Sequence, residues 1–379
     1  MLTVLFTSEY ELFGNGRGCA RQHMVAPTAR MFALLDEFGA KLTLHAEVAE
    51  ILRFADYLDQ TGDDAYHYKA IVEQLQCAVR TGHDVQLHLH ASYCNARHRD
   101  GYWQQDYSEL DLAQLPLERQ RELIARCKGF LQDTLRVARP DYRCFAFRAS
   151  NWSMQPSGNI QRALVENGIT LDTSVWKYGR FRRPVQFDYR SAQSALVPWP
   201  ADEQEICRLD PEGKLLEVPI YSELQPAWRF LSPHRVYRAI DRRFNPLWKD
   251  PELEAHLTGG RARPDPESPG LSDRLRALFA RYPMKMDFNQ CTGRQLLAGL
   301  RRAERRYGHL GLDLPFVVFG HSRSFTSANA ASLRPLLRTV AEQGDRYRFG
   351  LFSDLPLADY RRFWGSPEAA RVPREDATS

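Results

Sequence analysis

The chain has 379 residues, of which 43% are hydrophobic and 26% charged, with a formal charge of +4. That balance excludes a disordered chain, and the small charge excess gives nucleic acid no basic face. No stretch approaches the ~18 to 20 apolar residues of a membrane span.

The N-terminus reads MLTVLFTSEYELF. Its apolar run is short, lacks a basic lead-in and meets Glu9 and Glu11 at once, so it reads as a strand rather than a secretory signal. The seven cysteines are scattered and show no CxxC spacing. That argues against a disulfide framework or a cysteine-built zinc site, and the expected location is cytoplasmic.

Strands and amphipathic helices alternate along the chain. Strands are expected over Leu2–Ser8, Lys41–Ala46, Asp84–His90, Cys144–Arg148, Ile169–Thr173, Leu215–Ile220, Leu314–Gly320 and Arg348–Phe352. Helices are expected over Ala26–Glu37, Tyr66–Thr81, Leu117–Ala138, Asn159–Asn167, Gly293–Tyr307 and Ala331–Gln343. The alternation predicts a mainly parallel sheet or barrel. The reading is of one catalytic domain over 1–379, with an irregular insertion at about 180–290 and a loose tail after about 365. Within the insertion, 245–273 is rich in Pro and Gly, the composition of a lid or of a surface excursion.

The sharpest motif is GHDVQLHLH. His88 and His90 sit two apart on a strand, so they share a face and can chelate one divalent ion. Glu9 and Glu11 repeat that spacing at the end of the first strand. Alone they read as solvated acids; beside the histidines, one carboxylate can complete a two-His-one-carboxylate set and the other can take a proton from water. The glycines Gly14, Gly16 and Gly18 lack the Lys-Ser/Thr of a phosphate loop and predict a tight loop at the site mouth.

Arg148 follows a strand in CFAFRASNWSM and is expected to hold a carboxylate or a substrate anion. Asn151 and Trp152 follow it, and Trp152 offers a plate for a sugar ring, although a half-buried core Trp is commoner. Asp172 ends a strand and is a candidate to orient an imidazole, against a turn role. His321 follows the apolar strand of LPFVVFGH and is placed to protonate a leaving amine.

In this order the motifs resemble the polysaccharide deacetylase family (carbohydrate esterase family 4 and its relatives), in a divergent branch. The resemblance runs from about Leu2 to Leu355 and is strongest at Gly82–His90, Phe147–Ala149 and Phe319–His321. It implies an α/β fold, a distorted (β/α)7 barrel with inserted loops. It implies a divalent metal, zinc first with cobalt, nickel or iron as alternatives. Carried onto this chain, Glu9 falls at the base, His88 at the first metal histidine, Arg148 at the arginine that pairs with the base and His321 at the acid. Two departures stand out. Tyr10 occupies the place of the metal-binding Asp, so Glu11 must serve. Ser92 occupies that of the second histidine, so His90 must serve. His45 stands where the family has Phe, and is a candidate for an extra ligand or substrate contact.

The expected function is metal-dependent removal of an N-acetyl or N-formyl group from an amino sugar in surface-polysaccharide biosynthesis. The substrate would be a nucleotide- or lipid-linked sugar. Two rival readings are a metal-independent amidohydrolase on the same barrel and an inactive carbohydrate-binding relative.

Overall fold

The computed structural model describes residues 1–259 and 280–373. The later part of the 245–273 stretch, from 260, and the end of the tail, from 374, lie outside the described residues.

The fold is mixed α/β around one curled sheet. Seven strands lie side by side in parallel: Leu216–Glu217, Leu171–Asp172, Ala146–Ala149, Asp84–Leu89, Leu42–Glu47, Leu2–Tyr10 and Leu314–His321. Ile220 makes a parallel bridge to Val317, which draws the two ends of this row together. Two features break the regularity. Tyr347–Phe349 pairs with the start of the first strand, at Leu2–Val4, whereas the second strand pairs only from Phe6 onward. The antiparallel strands Trp199–Asp202 and Glu205–Leu209 extend the far edge.

The long strands are buried along their whole length. That is why they read as near-continuous apolar runs, as covered parallel strands must. Their polar residues are therefore informative. Thr7, Glu9, His45, Glu47, Gln86, His88, Arg148, Asp172, Glu217 and His321 are all buried. Burying so many polar groups costs free energy unless they find partners or serve a reaction.

All six expected helices form, within a few residues of their expected limits: Ala26–Asp36, Tyr68–Arg80, Leu117–Arg136, Ser157–Glu166, Gly293–Tyr307 and Ser327–Glu342. The sequence reading missed Val48–Thr61. Glu47 caps it, accepting from the amides of Ala49 and Glu50 at 3.0 and 3.4 Å, and Gly62 ends it at φ 74°. A carboxylate acceptor at one end and a left-handed glycine at the other are ordinary helix limits.

The stretch 180–290, expected to be irregular, is largely ordered where described. It holds the hairpin Arg180–Phe181 with Phe187–Asp188, and the antiparallel pair Ser222–Pro226 with Arg281–Lys285. It also holds the helices Pro233–Phe244 and Pro251–Thr258. The tail expected to be loose turns back at Pro367–Arg371, and Arg371 donates to the His309 carbonyl at 3.2 Å.

Candidate active site

The carboxyl ends of adjacent strands bring the site together. In register, Glu9 lies between His321 and His45, and Glu47 lies opposite His88, which lies opposite Arg148. Residues that alternate along parallel strands thus stack into rows at one end of the sheet.

His88 and His90 converge on Glu11. The Oε2 of Glu11 is 3.5 Å from His88 Nε2 and 3.1 Å from His90 Nε2. His88 Nδ1–H donates to the Arg148 carbonyl at 2.8 Å, which orients the ring and directs Nε2 toward Glu11. That buried Nε2 makes no hydrogen bond among the described residues. Glu47 joins the group: one ligand atom each from Glu11, Glu47, His88 and His90 lies within 4.8 Å of the others. Four ligands at ~2.0–2.2 Å around a tetrahedral ion stand about 3.4 Å apart, so these residues fit a divalent metal.

Glu47 was missed in the sequence. The signal was there, since it ends the His45-containing strand at the alternating position. Its second oxygen accepts from the His90 amide at 2.7 Å, so it orients the His90 backbone as well. Burial pushes its carboxyl well above the usual range, opposed by the His88 charge.

Beside this group lies a second one, Glu9, Glu11 and His321. His321 Nε2 is 2.8 Å from Glu9 Oε2 and 3.9 Å from Glu11 Oε1. Glu9 Oε1 is buried and has no partner among the described residues. Burial alone would raise the Glu9 pKa, but the charge of His321 and its hydrogen bond, with the charge of His88, hold it far below the usual range. Burial lowers the His321 pKa, against the raising effect of Glu9. The two groups share Glu11, whose Oε1 pairs with Arg323. Arg323 was also missed, although it sits two residues beyond His321.

Several expected residues land elsewhere. Arg148 is fully buried and does not pair with Glu9. Its guanidinium donates to Thr7 Oγ1 at 3.0 Å and to the Thr173 carbonyl at 3.1 Å, so it braces the strands beneath the site. Asp172 orients no imidazole. Its carboxylate accepts from the Ser174 hydroxyl and amide at 2.8 and 3.1 Å, next to Glu217. His45 is fully buried against Phe352 and is not on the cavity wall. Burial and the Arg148 charge hold its pKa well below the usual range. Ser92 donates to Gln105 Oε1 at 2.6 Å.

A cavity of about 480 Å³ opens over the two groups, with Glu9, Glu11, His90 and His321 in its floor. Asn151 and Trp152 line it, both in the left-handed region at φ 50° and 57°. Two successive non-glycine residues there cost backbone energy and are held by their surroundings. One face of Trp152 is covered: Lys285 Nζ lies 3.4 Å from the ring centroid, so a sugar would have to use the other. Burial lowers the Lys285 pKa to about 7. Gly14 lines the mouth at φ 77°, as a tight loop requires.

Gly320 shows how closely His321 is packed. A Cβ there would fall 2.2 Å from the Phe288 ring and 2.7 Å from Asn289 Oδ1. That same oxygen accepts from the His321 amide at 2.6 Å. Gly320→Ala is therefore expected to destabilise the protein by about 1–3 kcal/mol, as overpacking does, and to displace His321. Denaturant unfolding and the activity assay check the two effects.

Comparison with known proteins gives fold-level likeness only. No family model matches the chain, and no curated protein does. Among solved structures, a provisionally assigned polysaccharide deacetylase from Mycobacterium smegmatis is similar at 14% identity and TM-score 0.49, over 100% of this chain and 94% of that one. The PuuE allantoinase is similar at 13% identity and TM-score 0.46, over 97% and 91%. A provisionally assigned polysaccharide deacetylase from Pseudomonas aeruginosa PAO1 is similar at 14% identity and TM-score 0.42, over 96% and 90%.

Proposed function

We propose that the chain is a metal-dependent hydrolase of the deacetylase type, which cleaves the C–N bond of an N-acetyl or N-formyl amino sugar. The observation that carries this reading is the convergence of His88 Nε2, His90 Nε2 and Glu11 Oε2 beneath a cavity floored by a second carboxylate–imidazole pair. His88, His90 and Glu11 would hold the ion, with Glu47 within reach as a fourth group. A divalent ion there polarises the acyl carbonyl and lowers the pKa of water. Zinc suits this donor set best, with cobalt, nickel or iron as alternatives.

The chain's own residues supply the proton chemistry. Glu9 Oε1, without a hydrogen-bond partner among the described residues, is the oxygen that accepts the proton of the attacking water. Glu9 Oε2 and His321 Nε2 share one proton across 2.8 Å. Water gives one proton to Oε1 and Nε2 gives one to the departing amine nitrogen; transfer of the carboxyl proton of Glu9 to Nε2 then restores the pair. Arg148 keeps the strands that carry Glu9 and His88 in register, through Thr7 and its own carbonyl.

A cytoplasmic role in surface-polysaccharide biosynthesis, on a nucleotide- or lipid-linked sugar, belongs to this proposal. One test is hydrolysis of N-acetyl and N-formyl amino sugars by purified protein, before and after chelation. Activity lost on chelation and restored by zinc supports the reading. Activity that survives chelation favours the metal-independent amidohydrolase, for which the ion pair of Arg323 with Glu11 speaks.

Metal uptake should depend on pH. Burial opposes a charge on His88, but the carboxylate of Glu11 beside it, with Glu9 and Glu47, raises its pKa to about 9. A metal needs the neutral imidazole and must displace that proton. Affinity should therefore rise with pH, by about tenfold per unit between about pH 6 and 8. Competition titration against a chromophoric chelator measures the slope; a flat profile would remove His88 from the ligand set.

A further inference from the structure

A second cavity, of about 710 Å³, adjoins the catalytic one. The two share Phe13, Arg238 and Arg323 as common wall. The second cavity has an unusual lining. Arg238 Nη1, Arg323 Nε, His234 Nε2, Asn289 Nδ2 and Ser324 Oγ are buried atoms with no hydrogen-bond partner among the described residues. Asn289 is only 3% exposed. Its Oδ1 is used by the His321 amide, so Nδ2 is left as an unsatisfied donor. Buried donors without acceptors are costly, and several on residues that line one space point to an absent acceptor.

The charge agrees. Arg238 and Arg323 face the cavity and Arg30 stands at its rim. The carboxylates nearby are already engaged. Asp241 accepts from the Trp248 indole and the Asn245 amide, and Asp287 from the Asn289 backbone amide and the Gln290 side chain. Arg238 comes to 3.6 Å of Asp287 without a hydrogen bond. The first turn of the helix Ser327–Glu342 borders the same space and adds a positive dipole end.

We infer that this cavity is an anion site that takes a phosphate or diphosphate group of the substrate. The inference rests on the hydrolase reading and sharpens it, because the shared wall lets one molecule occupy both cavities. Arg323 would then touch the anion through Nε while Nη1 holds Glu11, coupling substrate binding to the carboxylate proposed as a metal ligand. The anion could be carried by a nucleotide or a lipid. The helix Pro233–Phe244, which borders the cavity, exposes Tyr237 at its wall and Ile240 and Phe244 further along.

Calorimetric titration of the full-length protein with pyrophosphate tests this, run in parallel on His88→Ala to remove binding through a metal. Saturable binding is expected in both. It should weaken by about tenfold or more in Arg238→Ala, the loss expected for a charged hydrogen bond. It should disappear in Asn289→Asp, which keeps the acceptor for His321 but turns a negative oxygen into the cavity. Thermal melts of the variants confirm folding. Tighter binding of UDP than of pyrophosphate identifies a nucleotide carrier. Co-sedimentation with phosphatidic-acid vesicles, but not with phosphatidylcholine vesicles, lost in Arg238→Ala, identifies a lipid carrier. No binding of any of the three, or binding equally strong in both cavity variants, would overturn the inference. Metal uptake and hydrolysis of an unphosphorylated N-acyl amino sugar are measured separately, so the hydrolase reading can stand if the anion site fails.

Discussion

Glu9→Gln is expected to lower kcat by about 10²–10⁴-fold, the range for loss of a general base, while metal content stays at the wild-type level. The reason is positional. Glu9 touches His321 and faces the cavity, and it lies outside the group Glu11, Glu47, His88 and His90 that is proposed to hold the ion. Gln keeps the shape and offers an oxygen that can still accept from His321 Nε2. What it lacks is the charge that draws a proton from water. KM should therefore change little, since the interaction lost is made in the transition state. Full activity in Glu9→Gln would place the base elsewhere, and loss of metal together with activity would make Glu9 a ligand.

His88→Ala is expected to have the opposite signature, with metal and activity lost together. Residues that merely support a metal ligand already cost about 10–100-fold in affinity when removed, so removal of the ligand itself should exceed about 100-fold. The imidazole is buried at 1% exposure, and its loss also frees the Arg148 carbonyl. His88→Gln, which can still donate to that carbonyl, separates the two effects. If it folds like the wild type and still fails to bind metal, the loss belongs to Nε2.

Much of this was legible because strands have a period of two. His88 and His90, Glu9 and Glu11, and Gly320 before His321 could each be placed at a strand end from sequence alone. The pairing of those ends could not. Glu11 reaches His88 and His90 only because the first strand lies beside Leu42–Glu47, which lies beside Asp84–Leu89. Glu47 was passed over because the helix it caps went unrecognised, so the strand end had no marker. Arg148 and Asp172 were placed correctly on strands but given the wrong partners. A long guanidinium can cross the interior to Thr7, and no local pattern reveals its target. The helices at Pro233–Phe244 and Pro251–Thr258 were hidden by their setting. The first exposes several of its apolar residues, and neither has a fully apolar buried face.

The central claim is that His88, His90 and Glu11 hold a catalytic metal. Anomalous diffraction at the zinc edge, on crystals of protein grown with zinc, tests it most directly. One strong peak is expected at about 2.0–2.2 Å from His88 Nε2, His90 Nε2 and a Glu11 oxygen, with Arg323 displaced or shared on the other oxygen. A site with no anomalous peak, in protein that still hydrolyses N-acyl amino sugars after chelation, would contradict it.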